Sequence, residues 1–171
     1  STDRRHDGSG DKQKTFAFRL SLIPYAELSW ARSAVYENKT LKVVRGDSVA
    51  FEQQLTARQS QRLEEMIETF DEEAWGGFHV FMDVLDGDVV RCRVNRGDEI
   101  LEFRGSNGSP KGFAALLSEI NSIVQQDVFP DDWKEREKYS KRFEDEKELM
   151  AQLKSSQNGE QGSAHAKPVD D

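Results

Sequence analysis

The chain has 171 residues, 36% hydrophobic and 33% charged, with a formal net charge of -8. That balance suits one domain with polar tails, and it disfavours nucleic acid or an anionic membrane as a partner. A single cysteine, Cys92, excludes an internal disulfide and any multi-thiolate metal site.

No run approaches the ~20 apolar residues that span a bilayer, and no apolar signal segment is present, so a soluble protein is expected. Ser1 stands where Met would, read as a start that has been removed, which leaves the compartment open between cytoplasm and export. Residues 1–14 and 155–171 are polar and lack periodic apolar positions. They read as disordered tails around a single domain, 15–127, and a charged amphipathic helix, 128–154. His6 and His165 fall in those tails, leaving His79 as the one histidine a fold would fix.

Phe16 to Ile23 alternates as a half-buried strand ended by Pro24, and Glu27 to Tyr36 forms a second strand around Trp30 and Val35, with Asn38 at the turn. Thr40 to Val44 and Ser48 to Gln53 follow as a hairpin. Facing Leu41 with Phe51 and Val43 with Val49 requires a three-residue loop of Arg45, Gly46 and Asp47. Thr56 and Gln59 have the spacing of a capping box, and Leu63, Met66, Ile67 and Phe70 form the buried stripe of the first helix, closed by Gly76-Gly77.

Phe78 to Leu85 and Val89 to Asn95 then alternate as a second hairpin. A three-residue loop, Asp86-Gly87-Asp88, pairs Met82 with Cys92, Val80 with Val94 and Val84 with Val90, which makes Cys92 a buried small hydrophobe. The same register sets Asp83 opposite Arg91, whose other neighbour is Glu102, and Phe81 opposite Arg93. A two-residue Arg96-Gly97 loop pairs Cys92 with Leu101 and Val90 with Phe103. The two Arg-Gly-Asp turns, at 45–47 and 96–98, are therefore expected to differ in geometry.

Ser109 caps the second helix with Pro110 at its first position, and Phe113, Leu116, Leu117, Ile120, Ile123 and Val124 make its stripe. The third helix runs from Asp131 to about Lys154. Its apolar arc of Tyr139, Phe143, Met150 and Leu153 leaves three fates open: exposed, laid on the outer face of the sheet, or docked on a partner. Trp133, off that arc, pins the Pro130 corner. The fold class is α+β, an antiparallel sheet of about six or seven strands built as two strands-then-helix units, with two helices on one face and the charged third helix appended.

The carboxylates of Asp83, Asp86 and Asp88 are dense enough to suggest a calcium loop, but Val84 and Leu85 occupy ligand positions and a hairpin explains the glycine. His79 and Asp83 share a strand face yet lie roughly 13 Å apart along it, too far to hydrogen bond. No Gly-x-Ser-x-Gly elbow supplies a nucleophile. The loop from Gly105 to Gly112 lacks P-loop and dinucleotide spacing, which leaves anion binding through Arg104, Ser109 and Lys111 as its minor reading. The Arg-Gly-Asp tripeptides read as turns rather than adhesion motifs.

These residues imply a non-enzymatic protein-binding module of the inhibitor, immunity or adaptor kind, with no cofactor and no metal. Its surface is the outer sheet face with Phe81, Arg91 and Arg93, joined by Trp133, Tyr139 and Phe143. The net charge favours a basic or neutral protein partner. The alternatives are a small hydrolase or ligand-binding protein using His79, Asp83 and the Gly105 to Gly112 loop, and a homodimer built through the third helix.

Overall fold

A computed structural model describes residues 14–24, 30–82 and 88–156. Residues 1–13 and 157–171 of the tails, the start of the expected second strand, and Asp83 with the Asp86-Gly87 turn lie outside the described residues. Eight strands form one mixed sheet in the order β4-β3-β2-β1-β6-β7-β5-β8. They are β1 (Phe16–Ile23), β2 (Arg32–Glu37), β3 (Thr40–Arg45), β4 (Ser48–Gln54), β5 (Phe78–Val80), β6 (Val89–Arg96), β7 (Glu99–Ser106) and β8 (Lys141–Phe143). The helices are α1 (Ala57–Glu68), α2 (Glu72–Trp75), α3 (Phe113–Val124), α4 (Trp133–Lys138) and α5 (residues 146–156). The architecture is the expected α+β class with one strand more than the upper estimate.

Alternation decides which side of the sheet is dry. Phe18, Leu20 and Leu22 of β1, Ala34 and Tyr36 of β2, and Leu41 and Val43 of β3 point to one face. Val90, Cys92, Val94, Leu101 and Phe103 continue that face across β6 and β7, packed with Leu63 and Ile67 of α1 and the whole α3 stripe. A run of ring contacts crosses this core. Phe70 stacks on Trp75 at 4.2 Å, Trp75 meets Phe103 at 5.2 Å, Phe103 meets Phe113 at 5.0 Å, and Phe113 meets Trp133 at 5.4 Å. Trp133 thus anchors the corner after Pro130 as expected, and Cys92 is buried.

The second hairpin does not form. Strand β6 pairs instead with β1 over eight residues from Phe16↔Arg96 to Ile23↔Val89, and with β7 on its other side. Strand β5 is only three residues long and runs parallel to β7, so Val80 lies beside Ser106 rather than Val94. Met82 is exposed. The physical reason is length of match: β1 offers β6 an apolar face along its whole length, whereas β5 breaks off after Val80.

Both Arg-Gly-Asp turns close as two-residue loops of Gly and Asp, with Arg45↔Ser48 and Arg96↔Glu99 as the closing pairs. Gly46 and Gly97 each adopt φ of 63°, and each donates its N–H at 2.8 Å to the flank of the neighbouring strand, Ala31 O and Thr15 O respectively. The expected difference between them is therefore wrong: a glycine first in the loop with positive φ suits a primed hairpin turn at both sites. In the first hairpin that turn would set Lys42, not Val43, opposite Phe51. A bulge at Ala50 restores Val43↔Phe51 and keeps the phenyl ring on the core side. The second slides by two residues from the expected register, to Cys92↔Phe103 and Val94↔Leu101, which keeps every apolar residue on its face.

Helix ends show what short-range patterns miss. Thr56 and Gln59 make the expected capping box on α1. At its other end Arg96, from β6, donates from Nη1 to the carbonyls of Ile67 at 3.0 Å and Phe70 at 2.7 Å. The start of α3 is not capped by Ser109. Its first residue is Phe113, and the Glu137 carboxylate of α4 accepts from Gly112 N at 3.1 Å and Ala114 N at 2.8 Å. A cation thus closes a helix C-terminus and an anion a helix N-terminus, each the sign the macrodipole favours.

The expected third helix is broken in three. Ser140 ends α4, its hydroxyl donating to Arg136 O at 2.6 Å and accepting from Ser109 N at 2.9 Å. The chain then joins the sheet as β8, with Phe143 opposite Phe78, before α5 begins. Burial of Phe143 on the sheet outweighs its place in a helical stripe.

Candidate functional site

The side of the sheet opposite the core is the molecule's candidate interaction face. Side chains on it come from the alternate strand positions: Arg19 and Ser21 of β1, Ser33 and Val35 of β2, Lys42 and Val44 of β3, Arg91 and Arg93 of β6, Glu102 and Arg104 of β7. Cross-strand pairing assembles them into rows. One row runs Glu52, Lys42, Val35, Arg19, Arg93, Glu102, and its neighbour runs Val49, Val44, Ser33, Ser21, Arg91, Arg104.

Arg19 therefore stands directly opposite Arg93, and Arg91 directly opposite Arg104. Like charges directly opposed across strands are destabilising. Arg19, Lys42, Arg91 and Arg93 are exposed, and among the described residues none of them forms an ion pair. Val49, Val89 and Ile100, three of the exposed large apolar side chains, lie on the same face. A shallow groove of about 530 Å³ crosses it between Arg19, Val35, Lys42, Val44 and Glu52. A protein of net charge -8 thus carries a locally cationic sheet face studded with valines.

One end of this face is covered. Phe78 pairs with both Arg104 and Phe143, so all three point to the outer side, yet Phe143 is only 3% exposed. The segment that follows β8 touches this end at two points: Glu146 at the start of α5 meets Arg104 at 3.1 Å, and Gln152 accepts from Lys141 at 3.4 Å. Most of α5 is exposed, with Leu149 and Leu153 half-buried.

The other sequence-predicted residues scatter. Arg91 and Arg93 lie on the open face as expected, but their partners are Ser21 and Arg104 and Arg19 and Glu102, not Asp83 and Phe81. Phe81 is buried at the end of β5, its N–H bonded to Ser106 O at 3.1 Å. Trp133 is buried beneath Arg136, whose guanidinium sits 4.7 Å from the ring centroid. Tyr139 is exposed near Lys138, away from the arginine rows.

His79 is a buried core residue rather than a surface one. Its ring meets Phe103 edge-on at 5.5 Å and its Nε2–H donates to Gly76 O at 3.0 Å, while burial and then the Arg142 charge hold its pKa below the usual value. No described carboxylate or hydroxyl is hydrogen-bonded to the ring, and Asp83 lies outside the described residues.

In the glycine-rich loop several groups are already engaged: Arg104 pairs with Glu146, Ser109 N–H with Ser140, and the first amides of α3 with Glu137, while the carbonyl of Lys111 accepts from Trp75 Nε1 at 3.0 Å. The buried Ser109 hydroxyl and Asn107 amide nitrogen have no hydrogen-bond partner among the described residues. The glycines serve packing. A Cβ on Gly108 would lie 2.7 Å from Val80 N and 2.8 Å from Ser140 Oγ.

A second cavity, about 520 Å³ between Phe16, Leu55 and the acidic side of α1, holds Glu64 and Glu68, but Lys39 and Lys14 already neutralise them at 2.6 and 2.5 Å. Tyr36, buried beside it, donates its phenol to Glu64, and burial together with that carboxylate raises its pKa. Among the described residues no cluster of His, Cys, Asp and Glu has the geometry to hold a metal ion, and no helix is long and apolar enough to cross a membrane.

Sequence reasoning missed Arg19 and Lys42, although their alternation with Phe18, Leu20, Leu41 and Val43 already assigns them to the polar side. What it lacked was the β1–β6 pairing that sets Arg19 against Arg93. Comparison with known proteins leaves these rows as the description of the chain: no family model matches it and no curated protein is similar to it.

Proposed function

We propose that this chain is a non-enzymatic protein-binding module that docks another protein on the open face of its sheet. The observation that carries the reading is a face of closely opposed cations, Arg19 against Arg93 and Arg91 against Arg104, of which only Arg104 has an ion-pair partner, Glu146, among the described residues. Folding alone disfavours such rows. An anionic partner surface turns the same rows into an attraction and steers its approach.

The net charge suggested a basic or neutral partner. The local charge of this face reverses that preference to an acidic one. Nucleic acid is the poorer fit, because the open rows carry no aromatic side chain on which a base would stack, and the rest of the molecule repels phosphate.

The test compares two charge reversals of the full chain in affinity capture from the host. Arg91→Glu with Arg93→Glu should abolish capture of a specific protein, and Arg58→Glu on the exposed side of α1 should retain it. Equal capture by both variants, or no specific protein with the unmodified chain, would sink the reading.

A further inference from the structure

We infer that the open part of the sheet face receives an acidic amphipathic helix from the partner protein, an inference that rests on the docking reading above. The charge pairing it needs is already made once at the border of this face, where Glu146 at the start of α5 meets Arg104 at 3.1 Å. The cations without an ion pair among the described residues, Arg91, Arg93, Arg19 and Lys42, lie beyond that pair.

Width fits a helix. From β6 through β1 and β2 to β3 the sheet presents four strands about 4.8 Å apart, roughly 14 Å between the outer axes. A helix with its side chains is about 10–12 Å across, so one helix fills the strip beside α5. Spacing fits as well. Arg91 and Arg93 are two apart on one strand, about 7 Å, and acids four apart on a helix rise by about 6 Å. Val35, Val44, Val89 and Ile23 lie between and beyond the cations, where the apolar stripe of an amphipathic helix would settle.

A strand partner fits less well. A sheet face offers no free backbone groups, which are found at edges, and the β4 edge is interrupted by the bulge at Ala50.

Placing the photo-crosslinking residue benzoylphenylalanine at Ser33, in the middle of the open rows, tests this in the full chain expressed in its host. The crosslinked segment, identified by mass spectrometry, should be rich in Asp and Glu at helical spacing. A synthetic peptide of that segment should gain helicity by circular dichroism on binding the unmodified chain. Arg19→Glu should lower the crosslink yield about tenfold or more, a loss of the size that like-charge contact imposes. Lys42→Glu provides the same test from a second strand should the first variant melt early.

A protein crosslink in a basic, extended or wholly apolar segment overturns the helix inference and leaves the docking reading standing. A crosslink to residues 157–171 of the same chain, to a second copy, or to no protein overturns both.

Discussion

Arg19 sits between Phe18 and Leu20, two side chains among the best buried in the molecule, so its own position is dictated by alternation and its charge is not needed for the core. Replacing it with Glu converts the Arg19–Arg93 opposition into an acid-base pair. The expected outcome is a gain of about 0.2–1 kcal/mol in unfolding free energy at low salt, read by urea denaturation. A loss of stability would show that Arg19 has a folding role which the rows do not reveal. Together with weakened docking, a gain would separate what the fold prefers from what the face is for.

His79 supplies a pH dependence at the same scale. Burial lowers its folded pKa below the ordinary 6.5, so in the window between the two values the unfolded chain binds more protons. Its contribution to stability is complete above about pH 6.5 and is lost as pH falls through that window toward the folded pKa. Stability measured at about pH 7.5 and pH 5 should therefore differ less in His79→Gln than in the unmodified chain. An NMR titration placing the His79 midpoint at or above 6.5 would contradict this.

At the scale of elements, the two long helices are held by side chains that arrive from elsewhere. Arg96 is 7% exposed and binds the last carbonyls of α1 while pairing with Glu99 at 2.8 Å. Arg96→Ala leaves those carbonyls and the space around them unfilled, and the expected cost is about 2 kcal/mol or more by denaturant unfolding. A change under about 0.5 kcal/mol would mean that water replaces the guanidinium without loss.

Glu137 does the reverse job at the start of α3. Burial raises its pKa, and the two backbone N–H bonds only partly offset that shift. These remote caps explain why local signals worked on one helix end and failed on another: Thr56 is its own helix's cap, whereas Ser109 is buried and α3 begins at Phe113. Periodicity read the stripes of α1 and α3 correctly because each is contained within its own helix. It misread residues 131–154, where the apolar spacing suits a helix but the Ser140 stop and the pairing of Phe143 with Phe78 draw three residues into the sheet.

For the whole molecule, the segment after β8 borders one end of the outer face through Glu146 on Arg104. Ending the chain at Phe143 removes that segment while leaving β8 in place. The expected result is exposure of Phe78 and Phe143, seen as increased binding of the dye ANS and a lower melting temperature, with the far side of the sheet unchanged. An unchanged melt and no dye binding would mean that Phe143 is covered by something other than this segment.

The sequence by itself determined the face to which each residue of β1, β3, β6 and β7 points, the two long helices with their buried stripes, and the α+β class. All of these rest on periods of two or 3.6 that are complete within a few residues. Only the tertiary structure decided which strands are neighbours. β6 lies beside β1, β5 beside β7, and β8 beside β5, because pairing is a competition between segments far apart in the chain and is won by the longest matched face. The candidate site follows that division. That Arg91 and Arg93 face away from the core is legible in eight residues of β6, but that Arg19 stands against Arg93 and Arg104 against Arg91, making a cationic face in an acidic protein, exists only once the sheet is assembled.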